Sequence, residues 1–166
     1  MSTPQPWYVV NVADAPTVRH PVAGTWTRFE RPEFPFQEVG VNLRVLEPGQ
    51  PSTIFHAENS EEHFLVLSGR CLAILGGHQR ELGPWDFLHV PAGVPHTFVG
   101  AGEGPCAILM MGARHPDMRS FYPVSELAAT HGASSPEPTE STEVAYADWA
   151  GAALEPAQLE WPPRAE

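Results

Sequence analysis

The sequence predicts an all-β protein, a sandwich or small barrel of short antiparallel strands. Two observations lead there. Glycine and proline are abundant, 14 and 19 among 166 residues, while periodic helical stretches are scarce before residue 120. From Ser52 to Ala113, strand-like runs also follow one another closely, at 52–57, 62–68, 70–75, 78–82, 86–90, 95–99 and 105–112. Ser68-Gly69, Gly76-Gly77, Gly83-Pro84, Pro91-Ala92-Gly93 and Gly100 to Gly104 separate the later runs. Short runs at this spacing, broken by turn residues, suit a sandwich or barrel.

The flanks read differently. Residues 1–39 form an approach segment, with strands expected at Trp7–Val12 and, more weakly, Thr25–Phe29. Val39–Leu46 alternates as a strand and ends at the Pro48-Gly49 turn. Residues 40–113 would be the core barrel and 114–166 a C-terminal extension with helices and a tail. There, Val124–His131 is a short helix with Ser125 near its start and Gly132 as its stop. Thr142–Ala153 is a second helix behind Ser141, and its Val144, Tyr146 and Trp149 could dock on the barrel. Leu159 and Trp161 lie in a proline-rich tail that either frays or clips to a partner subunit.

Composition narrows the partners. The net charge of −11 repels phosphate backbones and anionic lipid, so nucleic acid and membrane are excluded as expected partners. No secretory leader and no spanning apolar run are legible. Two cysteines, Cys71 and Cys106, are too few for a disulfide framework and fit a reducing cytoplasm. Both fall in expected strands and read as buried free thiols.

Spacing also indicates a site. Side chains alternate along a strand, so His56 and Glu58 share a face. If Asn59-Ser60-Glu61 turns the chain, Glu62 begins the return strand across from that pair, with Phe64 and Val66 on its face. His96 opens another strand behind Pro91-Ala92-Gly93-Val94-Pro95, whose prolines stiffen its backbone. Two imidazoles and two carboxylates at one point would hold one divalent transition metal ion, Zn, Fe, Mn or Ni. The two glutamates would cancel its charge, which should weaken attraction for an anionic substrate. Glu58 alternatively stands at a solvated rim. His63 and His89 fall on the opposite strand face and read as surface or packing groups. His20, His78, His115 and His131 read as solvent-exposed.

The stretches around these residues resemble the two motifs of the cupin superfamily. The first appears as Gly49, His56-Ala57-Glu58, Glu62 and Gly69, and the second as Trp85, Pro91-Ala92-Gly93, His96 and Gly100. The chain resembles small bacterial single-domain cupins of type 2, of unassigned function. Departures are Glu58 at the usual second histidine, Trp85 at an opening glycine and Gly100 at a closing asparagine. The spacer before His56 is also longer than the common form. The resemblance implies a double-stranded β-helix, or jelly roll, with a metal at the barrel centre and a homodimer.

Fold alone does not choose an activity. The expectation is a metal-dependent enzyme acting on a small molecule, of dioxygenase, isomerase or lyase type, with Glu58 as a general base. Phe64, Phe98 and Met110 are candidate pocket walls, although such residues more often serve as core. The alternative is a non-catalytic metal- or small-ligand-binding module.

Overall fold

The computed structural model describes residues 7–159. Most of the expected strands form within a residue or two of their anticipated ends. β1 (Thr17–His20) and β2 (Gly24–Arg28) pair into a hairpin, and β2 pairs with β3 (Val39–Leu46). A two-residue strand, β4 (Ala57–Glu58), precedes β5 (Glu62–Ser68), β6 (Arg70–Leu75), β7 (His78–Leu82) and β8 (Phe87–Val90). β9 (His96–Ala101), β10 (Cys106–Ala113), β11 (Ser120–Phe121) and β12 (Glu155–Ala157) complete the set. No helix among the described residues is long and apolar enough to cross a membrane.

All pairings are antiparallel. The large sheet runs β12-β1-β2-β3-β10-β5-β8, and a smaller sheet runs β7-β6-β9. The core lies between them. Leu46, Phe64, Val66 and Ile108 of the large sheet meet Cys71, Ala73 and Phe98 of the small one. Strand alternation explains this contact: Phe64 and Val66 of β5 are buried, whereas Leu65 between them is only half-buried. This is the expected all-β jelly-roll architecture.

Gly69 and Gly100 hold the sheets at close approach. Gly69 has φ +69°, and a Cβ there would collide with the Pro105 carbonyl oxygen. A Cβ at Gly100 would collide with the Glu47 carbonyl oxygen. The Gly49 N–H donates to the Gly100 carbonyl at 2.8 Å, and the Gly100 N–H donates to the Gln50 carbonyl at 2.9 Å. The asparagine of the common motif therefore has no room at residue 100.

Several expectations need correction. Trp7–Val12 is not a strand. Trp7 and Val9 are exposed, and Val12–Asp14 is instead a 3₁₀ turn capped by the Asn11 side chain, which accepts from the Ala13 N–H. The segment 52–57 is not a regular strand either. Its donors go to scattered partners: Ser52 to the Phe98 carbonyl, Ile54 to the Tyr146 hydroxyl and Phe55 to the Ala133 carbonyl. Ile54 and Phe55 are both buried, which an alternating strand with one solvated face would not permit.

The C-terminal helices are shorter than expected. α1 spans Glu126–Ala129 and α2 spans Thr142–Ala145, followed by a 3₁₀ turn at Ala147–Trp149. Both expected caps form: Ser125 Oγ accepts from Ala128 N–H at 3.1 Å, and Ser141 Oγ accepts from Val144 N–H at 3.3 Å. Tyr146 and Trp149 do dock, in a cluster with Ala23, Ile54, Tyr122 and Ala145. Leu159 packs beside Leu43, Val45 and Ala107 on the outer face of the large sheet, and Trp161 lies outside the described residues. Cys71 and Cys106 are buried free thiols. The neighbouring Cys106 thiol, and then burial, push the Cys71 thiol well above its ordinary range.

Candidate metal centre

Three of the four anticipated donor residues converge, but by a different route from the one expected. His56 does not face Glu62 across a hairpin. Instead His56 and His96 form an isolated antiparallel bridge: the His56 N–H donates to the His96 carbonyl at 3.2 Å, and the His96 N–H donates back at 2.8 Å. Glu62 reaches them across the barrel interior from β5, which pairs with β8 and β10. Asn59-Ser60-Glu61 thus carries the chain from one sheet to the other. Asn59 anchors this crossing, donating through Nδ2 to the Asp117 carbonyl at 2.8 Å and accepting from the Arg119 N–H at 2.7 Å.

The imidazoles are oriented by main-chain carbonyls. His56 Nδ1 lies 2.8 Å from the Ile54 carbonyl, and His96 Nδ1 lies 3.1 Å from the Val94 carbonyl. Donation from Nδ1 leaves each Nε2 as a free lone pair. His96 Nε2 is 3.2 Å from Glu62 Oε2. The ligand atoms of His56, Glu62 and His96 all lie within 4.8 Å of one another. Tyr122 stacks against His56 with centroids 5.6 Å apart, and Phe64 packs against His96 at 5.2 Å. The C-terminal extension, through Tyr122, therefore braces the histidine segment.

Glu58 stands beside this group but outside it. Its Oε1 is 3.8 Å from His56 Nε2, and its Oε2 accepts from the Ser60 hydroxyl at 3.3 Å. Gly112, opposite Glu62 on β10, leaves space for the Glu62 side chain, whose Cγ would sit 3.6 Å from a Cβ at that position.

The site's electrostatics suit a bound cation. Burial, then repulsion from Glu58, raises the Glu62 carboxyl to about 7. Glu58 is held below the ordinary carboxylate range by the His56 imidazole. Burial lowers His96 to about 4, so it is neutral at physiological pH. Burial alone would also lower His56, but Glu58, the Ile54 carbonyl and Glu62 outweigh it, and the net shift is upward. A desolvated carboxyl group facing two Nε2 atoms is the donor chemistry of a divalent transition metal.

These residues line a cavity of about 240 Å³, and Phe64, Phe98 and Met110 form part of its wall while also belonging to the core. The same cavity is lined by two arginines, Arg44 and Arg114. Arg114 forms a paired ion bridge with Glu30, at 3.0 and 2.9 Å. Arg44 has no such partner. Sequence reasoning passed over it, although a cationic residue within an alternating strand was the available signal.

The other histidines behave variously. His63 and His89 face each other across β5 and β8 on the outer side of the large sheet, with His89 Nδ1 3.1 Å from His63 Nε2. With Glu61 they make a second, more exposed group of metal-capable donors. His20 is not fully exposed as expected: it accepts from the Val22 and Ala23 N–H groups at 3.2 Å and packs against Trp149. His115 is exposed in a turn, away from the site.

Comparisons with known proteins agree with the architecture. Residues 42–112 match the family model described as Cupin domain. No curated protein matches the sequence. A sugar phosphate isomerase of the cupin superfamily from Silicibacter pomeroyi is 22% identical, with a TM-score of 0.63 over 70% of this chain and 82% of that one. The polyketide cyclase RemF from Streptomyces resistomycificus is 23% identical, with a TM-score of 0.58 over 68% of this chain and 84% of that one. A provisional sugar phosphate isomerase from Acidithiobacillus ferrooxidans is 28% identical, with a TM-score of 0.48 over 51% of this chain. The chain spans about half, 55%, of that protein's length.

Proposed function

We propose that this chain, whose residues 42–112 match the Cupin domain model, is a metal-dependent enzyme acting on a small molecule inside the barrel. His56, Glu62 and His96 would hold one divalent transition metal ion. Two imidazoles and one carboxylate on one side of an ion leave positions for a ligand. Once bound, the ion would supply Lewis-acid polarisation of a ligand oxygen. The observation that carries this reading is the convergence of the three donor atoms within 4.8 Å at a cavity wall.

Glu58 takes the role of general base. It lines the same cavity, it is kept ionised by His56, and it stands outside the three-donor group. An ionised carboxylate at that place can accept a proton from a ligand held at the cavity wall, and the Ser60 hydroxyl orients its other oxygen. This favours proton-transfer chemistry, of isomerase or lyase type, over a fourth ligand role for Glu58. Phe64, Phe98 and Met110 would exclude water from one side.

Two measurements test the reading. Elemental analysis should find about one transition metal per chain in protein loaded with Zn²⁺ or Mn²⁺ and dialysed, and none at this site in His96→Ala. In deuterated water, loaded protein should exchange the carbon-bound α-protons of small carbonyl or hydroxy acids, and Glu58→Gln should lose this exchange while keeping the metal. Metal binding without exchange would leave a binding module; no metal would end the proposal.

A further inference from the structure

Arg44 is the one residue of the cavity whose charge nothing answers among the described residues. It sits on β3, and register places it between Trp26 of β2 and Ile108 of β10. Ile108 belongs to the inner core, as does Leu46 two residues on, so Arg44 and Asn42 point inward with them. The Arg44 guanidinium donates once, from Nη1 to the Ala23 carbonyl at 3.2 Å, and its carbon lies 4.6 Å from the Trp26 ring centroid. Its Nε is buried with no hydrogen-bond partner. No carboxylate bridges to it. Desolvation lowers its pKa to about 10, so it remains charged at neutral pH.

A buried charge without a counter-ion is costly, and a protein ordinarily pairs it. Here the pairing is open on the side that faces the cavity. Asn42, one turn of the pleat away, also lines the cavity and also has a buried oxygen, Oδ1, without a donor. Two unanswered polar groups of complementary kind thus border one space: a cationic fork and a hydrogen-bond acceptor.

We infer that Arg44 is the anion subsite of this cavity, and that the ligand is a compact hydroxycarboxylate whose carboxylate meets the guanidinium and whose hydroxyl donates to Asn42. This deepens the proposed function by naming the substrate class, and it rests on the same cavity being the ligand site. Charge decides between carboxylate and phosphate. The ion, Glu58, Glu62 and Arg44 together carry a single net positive charge, which one carboxylate neutralises. A dianionic phosphate would overshoot, and it would find one guanidinium free of a carboxylate, since Arg114 is held by Glu30, where phosphate sites ordinarily offer several donors. The space agrees, since about 240 Å³ equals about eight water volumes of ~30 Å³. Arg44 also restores the attraction for an anion that the second glutamate would otherwise remove.

The test is calorimetric titration of glycolate, acetate and inorganic phosphate into metal-free and Zn²⁺-loaded protein. Glycolate should bind the Zn²⁺-loaded wild type, and metal-free protein more weakly because the two glutamates then face Arg44 without the ion; acetate should bind more weakly than glycolate, and phosphate should not compete. Arg44→Gln should weaken glycolate by about 10- to 100-fold, the worth of a charge-assisted hydrogen-bonded pair. Arg44→Lys, which keeps the charge without the fork, should fall between, and it serves if the glutamine variant does not fold. Asn42→Leu should erase the difference between glycolate and acetate. Unchanged glycolate affinity in the folded Arg44 variants, no glycolate binding by the wild type, or stronger binding of phosphate would each overturn the inference. Metal content of Arg44→Gln should equal that of the wild type. Failure of metal loading with intact glycolate binding to metal-free protein would reject the metal reading and keep this one.

Discussion

His56 and His96 exchange two main-chain hydrogen bonds, 3.2 and 2.8 Å long, which set their imidazoles side by side with centroids 5.2 Å apart. This bridge joins the irregular segment 52–56 to the start of β9 and preorganises the pair before any ion arrives. Ligand binding to a preformed site stabilises the fold by mass action. At 100 times the dissociation constant, Zn²⁺ or Mn²⁺ should raise the unfolding free energy by about 2.7 kcal/mol. Thermal melts with and without the ion measure this, and His56→Ala and His96→Ala should each abolish the rise. Variants of the outer pair, His63→Ala and His89→Ala, should retain it.

Glu62 gives the metal-free protein a definite pH dependence. Its carboxyl is raised to about 7 by burial and by Glu58, so the folded state holds a proton there that the unfolded chain has released. The native state binds more protons than the unfolded one between the ordinary carboxylate range and about pH 7, so this group's contribution to stability falls as pH rises through that window. Glu62→Gln should flatten that decline and stabilise metal-free protein at pH 8. The same variant should bind metal poorly. Denaturant unfolding at a series of pH values, without metal, reads the first effect.

Metal uptake should release protons. Glu62 must ionise and His56, shifted upward, must lose its proton, whereas His96 at about 4 is already neutral. Apparent affinity should therefore rise with pH through about 7, where the Glu62 carboxyl titrates. Calorimetry in buffers of different ionisation enthalpy counts the protons. Uptake of protons, or affinity that does not rise as pH approaches about 7, would contradict the donor assignment.

Two of the motif departures can be tested through stability. Trp85 holds φ at +72° while its side chain is 75% exposed, so the strained backbone gains little packing in return. A left-handed conformation costs a non-glycine residue about 1–2 kcal/mol. Trp85→Gly should stabilise the protein by about 1 kcal/mol after the glycine's larger unfolded-state entropy is subtracted. Gly100→Ala should destabilise it by about 2 kcal/mol or more, because the added Cβ meets main chain that cannot move aside. Urea unfolding resolves both.

The strands β3, β5, β6 and β7 were legible to the residue because alternation and glycine-rich turns delimit them. Glu62 and His96 were legible for the same reason: each opens a strand, so its direction follows from parity. His56 was found by parity with Glu58 and by its motif, but its neighbourhood was not. Ser52, Ile54, Phe55 and His56 each send the main-chain donor to a different distant partner, a pattern no local periodicity encodes. Arg44 was missed because the alternation of β3 reads locally as apolar residues facing the core and polar ones facing water. Leu43 and Val45 pack outward beneath Val12, Phe29 and Leu159, while the polar Asn42 and Arg44 turn inward to the cavity. A strand whose polar positions face the barrel interior reads, by local pattern alone, as one with those positions in water. The brace from Tyr122 to His56 depends on chain contacts 66 positions apart by number, again beyond local pattern.

The most direct test of the central claim is an anomalous-scattering map from crystals grown with Zn²⁺ or Mn²⁺. The expected result is one strong peak about 2.0–2.2 Å from His56 Nε2, His96 Nε2 and a Glu62 oxygen, with Glu58 beside the ion but outside its ligands. A map with no peak there, or with its peak only at Glu61, His63 and His89, would contradict the account.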